Sequence, residues 1–534
     1  MRLPPRGYFT VCVLAGIAAV AITPGQASDS RQAPTNPKAL WVDATAATIG
    51  TTAQWTNKVE IADIDGDGRL DLLFANGGDY STPGKPELNR AFLNRGAGVM
   101  FEEQSTEVFG TPDLTRVIKA RDLNGDGFVD ILSGNTYQTQ SRLYLGTGKG
   151  VFREVTATHL PSTPLSVGDL EFGDVDADGD LDAVIADWGA GNNMTNDGGR
   201  TRLWLNDGAG RFTDASSRLP GVLVRFSWDL ELADAENDGD LDVLVSCKRC
   251  TGGYFFRNDG TGNFTDDPRA LPQYTNNYEY ELMDLDGDGF LDIVTMNDGE
   301  IVREQGSNRR EHVFRNDGKG RFRDATAQWW PPDQNIGEDD NMVAFLDYDS
   351  DGDADFVIGS LTGPDRLVIN DGKGHLRVAT DVFTGDPTPG TLGLALGDLD
   401  ADGRLDVVQA QGEHPTAVQE RVFFGRGLAA DTAKPSVTLL PPLKRPDGRV
   451  LIRARVHDRK SPSLPAEWKS IDLETELKGM DLKTGVVSDH TLRLKMRWAG
   501  EYVWTADIAP SGRQRVCATD AAGNSACSDW LGGS

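Results

Sequence analysis

Basic residues, histidine and cysteine are all scarce in this chain. Over 534 residues there are 53 lysines and arginines against 82 aspartates and glutamates, leaving a formal net charge of −29. So little positive charge excludes nucleic acid and anionic membrane as partners, because both are recognised by clustered Lys and Arg. The six histidines, His159, His312, His375, His414, His457 and His490, stand in no paired or recurring context, and no nucleophile motif accompanies them. No catalytic residue is assigned on such a set. Long apolar runs are missing too, except between Phe9 and Ile22. That run follows Arg2 and Arg6 and ends at Gly25-Gln26-Ala27, so residues 1–27 read as a cleaved signal peptide, with an uncleaved anchor as the alternative. Residues 28–37 then form a linker, and the mature chain is expected to be secreted, with no membrane span.

Cys12 goes with the signal peptide, which leaves four cysteines. An even count in an oxidising compartment predicts two local disulfides, Cys247–Cys250 and Cys517–Cys527. A redox pair at Cys247-Lys-Arg-Cys250 would call for a βαβ pattern, and a zinc site for a second ligand pair; neither is evident.

The acidic residues are present in quantity, and they are placed rather than scattered. Seven segments share one pattern, with oxygen ligands at positions 1, 3, 5 and 9. They are Asp63, Asp65, Asp67, Asp71; Asp122, Asn124, Asp126, Asp130; Asp174, Asp176, Asp178, Asp182; and Asp234, Glu236, Asp238, Asp242. The last three are Asp284, Asp286, Asp288, Asp292; Asp347, Asp349, Asp351, Asp355; and Asp398, Asp400, Asp402, Asp406. Glycine stands at position 6 of every segment. Oxygen donors on a tight loop with a glycine for the sharp turn are what a hard Ca²⁺ ion requires, and carboxylates this close would otherwise repel one another. Up to seven Ca²⁺ ions are expected.

An EF-hand needs flanking helices and a bidentate Glu at position 12, where this chain has Phe74, Ser133, Ile185, Val245, Thr295, Ile358 and Gln409. The flanks are instead short apolar or alternating runs, such as Leu70-Asp-Leu-Leu-Phe74, which is strand patterning. A second signature follows each loop, seen in Leu203-Trp-Leu-Asn206-Asp-Gly-Ala-Gly210-Arg-Phe212. It recurs at Asn94, Asn258, Asn316 and Asn370 and more weakly at Gly146 and Gly425, and is hairpin chemistry. Each unit therefore has four strands, A to D, with the acidic loop between A and B. Repetition of such units implies propeller blades. The D-strand pattern of acid followed by Ala-Thr, as in Asp324-Ala-Thr326, also occurs ahead of the first loop at Asp43-Ala-Thr45. An N-terminal strand is thus expected to complete the last blade.

These motifs resemble the FG-GAP or VCBS repeat family, the propeller type found at the head of integrin α-subunits, over roughly residues 38–428. The resemblance implies a seven-bladed propeller with calcium in the A–B loops, in extracellular proteins concerned with adhesion or ligand binding. Asn124 in the second loop and Glu236 in the fourth depart from the pattern.

The fold class is therefore all-β: a seven-bladed β-propeller over 38–430 followed by a small β-sandwich over 431–534. The sandwich is read from alternating runs such as Arg449–Val456 and Arg515–Thr519, and Asp520-Ala-Ala-Gly-Asn524 resembles the ending of bacterial immunoglobulin-like modules. Lacking the acidic motif, it is expected to melt independently of calcium.

Acids alternate with apolar residues in the A strands: Glu60, Asp169 and Glu171, Asp229 and Glu231, Glu279 and Glu281. They make either an acidic central funnel or solvated and Arg-paired positions. The loops begin 59, 52, 60, 50, 63 and 51 residues apart, so the period is two blades, with extra length between strands B and C of blades one, three and five. On that face Trp188, Arg202, Arg309 and Arg310 join Tyr274, Tyr278, Trp329 and Trp330, aromatics and arginines suited to ligand binding. The alternative is that the rings plug gaps between blades. The function expected is a monomeric scaffold for an extracellular protein or glycan; the alternative is a polysaccharide-cleaving enzyme, lyase or hydrolase, working on a propeller face.

Overall fold

The computed structural model describes residues 39–532, apart from positions 80, 97–99, 193–194, 298–299, 303–305, 309, 386–389, 414–416, 481–486 and 510–511. The signal-peptide and linker segments lie outside the described residues, as does Arg309. No described helix is long and apolar enough to cross a membrane.

From residue 42 to residue 424 the chain forms seven four-stranded antiparallel sheets in succession. Blade 3 is representative: Val167–Gly173, Asp182–Asp187, Arg202–Asn206 and Phe212–Asp214 pair in that order. The second strand is buried along its whole length because neighbouring blades cover both of its faces. That is why it reads as a continuous apolar run closed by acids. The outermost strand buries Phe212 alone and leaves Thr213 and Asp214 exposed.

The ring closes as the sequence predicts. Blade 7 takes Thr391–Gly397, Asp406–Gln411 and Arg421–Phe424 from the end of the repeat region and Val42–Asp43 from its beginning. Trp41 is fully buried beside this strand, stacked on Phe383. The acid-x-Thr pattern explains itself here. Asp43 accepts the Thr45 amide at 2.9 Å and caps a single helical turn, while the Thr45 hydroxyl accepts the Val422 amide at 3.1 Å. Asp324 and Thr326 do the same in blade 5, where the hydroxyl accepts the Val313 amide. Where the motif occurs, it ties the outer strand and its helical turn back onto strand C.

Neighbouring blades are stapled by the asparagine that ends strand C. In blade 5, Asn316 Nδ2 donates to the Leu291 carbonyl of its own loop at 2.9 Å and to the Ala235 carbonyl of blade 4 at 2.8 Å. Asn94, Asn206, Asn258 and Asn370 repeat the arrangement toward Leu399, Leu123, Val175 and Leu285. Gly146 and Gly425 stand at this place in blades 2 and 7 and have no amide to donate.

Beyond the propeller, two sheets enclose a separate core. One contains Ser436–Leu439, Val450–His457, Arg497–Gly500 and Val503–Ile508; the other contains Trp468–Met480, Val487–Lys495, Gln514–Asp520 and Ser525–Cys527. Ile452, Ala454, Ile471, Leu473, Trp504 and Val516 meet between them. The 13-residue strand Trp468–Met480, the longest among the described residues, is not among the runs read from the sequence, although Ile471, Leu473 and Thr475 alternate with Asp472, Glu474 and Glu476. Both disulfides form as expected, Cys517–Cys527 joining directly opposed strands and Cys247–Cys250 closing a turn after strand B of blade 4.

Replacing Asn316 by alanine strands two buried carbonyls, each worth about 1–3 kcal/mol when left unpaired. Asn316→Ala is expected to lower stability by about 2–4 kcal/mol. The same change at exposed Asn263 should have little effect. Equal denaturation midpoints for wild type and Asn316→Ala would show that the staple adds nothing to stability.

Candidate functional site

Each acidic loop builds itself around the carboxylate at position 1. Asp63 accepts the amides of Gly66 (2.8 Å), Asp67 (3.1 Å) and Gly68 (2.8 Å), which wraps the backbone about one side chain. Gly66 and Gly68 lie in the left-handed region, at φ 75° and 84°. The position-9 carboxylate acts differently. Asp71 accepts the Ile64 amide at 2.9 Å with one oxygen and the Asn94 amide at 2.7 Å with the other. It therefore fixes the loop to the end of strand C. The pair of contacts recurs at Asp130, Asp292, Asp355 and Asp406.

Carboxylate oxygens converge to within 4.8 Å of one another in at least five loops. The groups are Asp63, Asp65 and Asp71; Asp174, Asp176 and Asp182; Asp284, Asp286 and Asp292; Asp347, Asp349 and Asp351; and Asp398, Asp400 and Asp406. Burial, reinforced by the like charges beside it, pushes Asp71 up to about 7 and Asp182 and Asp406 up to about 8. A cluster of oxygen donors that resists ionisation on its own suits a hard cation, and these loops could hold metal ions.

The two irregular loops differ from each other. Asn124 Oδ1 accepts the Asp126 amide at 2.9 Å, the contact that Asp65 makes with Asp67 at 3.2 Å, so the amide replaces the acid without changing the turn. Glu236 instead reaches the Arg257 guanidinium and lies against Asp242, whose carboxyl burial and the Glu236 charge push well upward. An arginine at the position-3 acid is not peculiar to that loop: Arg95 meets Asp65, Arg218 meets Asp176, Arg315 meets Asp286 and Arg426 meets Asp400.

The aromatic residues expected to face a ligand lie inside the blades. Trp188, Tyr278, Trp329 and Trp330 are at most 3% exposed. Trp188 packs on Phe226 and Trp228 of blade 4, and Tyr278 meets Trp228 edge-on. Trp329 presses on Gly374 of blade 6, where a Cβ would come within 2.5 Å of the indole. Trp330 donates to the Gln334 carbonyl and meets Phe356 edge-on. These rings plug gaps between blades, and their burial removes them from ligand contact in this conformation. Tyr274 stacks on His312 at 3.9 Å, Arg202 pairs with Asp187 at 3.0 Å, and Arg310 donates to the Trp330 carbonyl.

The central channel is lined by acids, as the A-strand alternation implies, and cations answer only some of them. Lys58 Nζ is 2.7 Å from Asp169 and 3.4 Å from Asp229, Lys119 pairs with Glu171, and Arg121 lies 2.5 Å from Glu60. Glu231, Glu279 and Glu281 have no cationic partner among the described residues, and the sandwich adds Glu501 to them. Burial and mutual repulsion hold Glu231, Glu279 and Glu281 well above the usual carboxylate range. Burial, with Glu171 nearby, pushes Glu501 up to about 7.

Glu501 reaches the channel because the sandwich sits on the loop face of the propeller. Arg453 holds Asp240 at 2.5 Å, Arg455 holds the Gly289 carbonyl at 2.5 Å, Arg459 the Gly352 carbonyl at 2.6 Å and Arg497 the Gly179 carbonyl at 3.0 Å. Four arginines thus grip the acidic loops of blades 3 to 6. Tyr502 donates to the Leu282 carbonyl at 3.1 Å, and Pro462 lies over the channel mouth. Beside these contacts, over blades 1 to 3, a cleft of about 630 Å³ remains between propeller and sandwich. No motif marks it, since its walls come from segments some 300 residues apart.

The architecture defines a class: β-propellers whose A–B loops carry an acidic, glycine-turned motif. Within it, this chain carries FG-GAP repeats; the model of the FG-GAP-like repeat matches residues 63–133, 122–185, 190–245 and 347–408. No curated protein matches the chain. Among solved structures, an Agrocybe aegerita lectin, described for specific recognition of non-reducing terminal N-acetylglucosamine, is similar at 18% identity and a TM-score of 0.41, covering 61% of this chain and 80% of that one. The GH74 xyloglucanase from Xanthomonas campestris is similar at 13% identity and a TM-score of 0.42, covering 90% and 74%.

The Glu501 carboxyl yields a pH prediction. Its folded pKa of about 7 exceeds the ordinary value of 4.5, so the folded state binds the extra proton and the penalty for ionisation grows as pH rises between those values. Glu501→Gln is expected to raise stability at pH 8 by on the order of 2–3 kcal/mol and far less at pH 5. Equal gains at both values would show that the channel does not hold this carboxyl as described.

Proposed function

We propose that the chain is a secreted, calcium-stabilised scaffold whose propeller and sandwich together present a binding surface to an extracellular protein or glycan. The observation that carries the calcium assignment is the oxygen-only convergence of carboxylates in repeated loops on one face. Hard oxygen ligands on a flexible loop favour Ca²⁺, whereas Mg²⁺ demands tighter octahedral geometry. Asp63, Asp65, Asp67 and Asp71 and their counterparts would hold the ion, with Asp71 also holding the loop to strand C. Bound calcium neutralises charge that the fold otherwise confines, and seven ions would roughly halve the net charge of −29. The fourth loop, whose longer Glu236 lies against the position-9 carboxyl of Asp242, is the one expected to bind most weakly. The two disulfides fit the oxidising surroundings of secretion.

Calcium modules outside cells typically bind at roughly 10⁻⁴ to 10⁻³ M, and a site at ten times its dissociation constant contributes about 1.4 kcal/mol. Five to seven such sites would supply on the order of 7–10 kcal/mol, comparable to the net stability of a whole domain. Excess chelator is therefore expected to lower the melting temperature markedly, and Mg²⁺ to restore little. The arginine contacts to the loops revise the expectation for the sandwich, whose melting should now follow that of the propeller. A melting profile unmoved between chelator and millimolar calcium would overturn the metal assignment.

A further inference from the structure

The cleft between the sandwich and blades 1 to 3 is a formed cavity separate from the central channel, and the acidic loops of blades 1 and 2 form part of its wall. At about 630 Å³ it falls within the range of small-ligand sites, which are commonly 300–1,000 Å³. Its ring surfaces are held in place before any ligand arrives. Trp498 donates its indole N–H to the Glu501 carbonyl at 2.7 Å, and Arg121 covers one face of the ring with its guanidinium 4.9 Å from the centroid. Trp468 stands edge-on to Trp504, which pairs with Trp498 across the same sandwich sheet. Phe128, at position 7 of the second loop, is 43% exposed, and the loop needs only the backbone of this residue. A phenyl ring left open to water at the mouth of a cavity is a surface awaiting a partner.

The polar groups between the rings narrow the chemistry. Lys495 lines the cleft and makes no ion pair or hydrogen bond among the described residues, while the loop backbone at Gly66, Gly125 and Gly127 forms part of the floor. At Gly66, Gly125 and Gly127 nothing lies within 4 Å of where a Cβ would stand, so a ligand can approach the backbone there, although the three amides are already donated to Asp63 and Asp122. Flat apolar surfaces alternating with donors and acceptors suit a molecule that has both apolar faces and hydroxyl edges. A pyranose has that construction: its C–H face packs on an aromatic ring while its hydroxyls bond at the rim. A lipid chain would leave the charged rim unpaired, and the net charge of −29 disfavours a polyanion.

We propose that this cleft binds a neutral oligosaccharide, its pyranose faces against Phe128, Trp468 and Trp498 and its hydroxyls at Lys495 and the glycine-rich loop backbone. The assignment deepens the scaffold reading above and rests on it. The test uses the full chain in calcium and neutral gluco-, manno-, galacto- and xylo-oligosaccharides of three to six units, followed by tryptophan fluorescence and calorimetry. At least one series is expected to bind and perturb the tryptophan emission. Phe128→Ala is expected to weaken that binding at least tenfold, and Lys495→Ala several-fold, both with unchanged melting temperature; Phe128 and Lys495 are surface positions, so the fold should persist. Binding by none of the four series, or binding that Phe128→Ala leaves intact, overturns the proposal. Either result, with calcium-dependent melting and capture of another extracellular ligand preserved, would leave the scaffold reading standing. Melting unmoved by chelator would strike the calcium-stabilised reading instead.

Discussion

The buried carboxylate at position 9 of each repeat is the constraint on which the ring depends. By accepting one amide from its own loop and another from the end of strand C, Asp71 and its counterparts hold three strands of a blade in one register. The asparagine whose amide meets that carboxylate then turns its side chain to the neighbouring blade. Blade geometry and blade-to-blade spacing therefore share one hydrogen-bonded unit. Its low-dielectric setting makes it strong when complete and costly when broken.

The same loops serve a second purpose at the surface. Their tight turns bring backbone carbonyls outward, and the sandwich meets those carbonyls with arginines, beside a small apolar contact of Ala499 and Val503 on Leu241. Arg455 is 1% exposed, and truncating so deeply buried a cation would leave several acceptors unpaired at once. The contact is thus specific to the conformation of the loops. This arrangement covers the channel and shapes the cleft beside it.

Much of this was legible in the chain. The seven loops, the four-stranded blades, the borrowed N-terminal strand and the two-blade period follow from spacing, because local hydrogen bonds repeat wherever the motif repeats, and both disulfides follow from an even cysteine count in an oxidising compartment. The acidic lining of the channel was readable from alternation, but its division into paired and unpaired acids was not, since Lys58 and Lys119 stand among ordinary strand residues. The fate of Trp188, Trp329 and Trp330 was also beyond reach: an aromatic residue after a blade strand looks the same whether it turns outward or fills the wedge between blades. Phe128 stands at a motif position whose side chain the loop does not use, and Lys495 and Trp498 carry no motif. They become a site only through the docking of two domains, which local pattern does not encode.

The strand at Val42–Asp43 has a kinetic consequence. It pairs with Arg421–Phe424, and the ion pair between Asp43 and Arg421 joins residues 378 apart in sequence. Loop closure over such a distance is entropically slow, and folds dominated by distant pairings reach the native state late. The first blades to emerge during synthesis can form from local hairpins, but the ring cannot shut until nearly the whole repeat region has been made. Opening it afterwards requires releasing that same latch, with Trp41 buried beneath it. A protein closed in this way should resist proteases through slow unfolding more than its equilibrium stability alone would suggest.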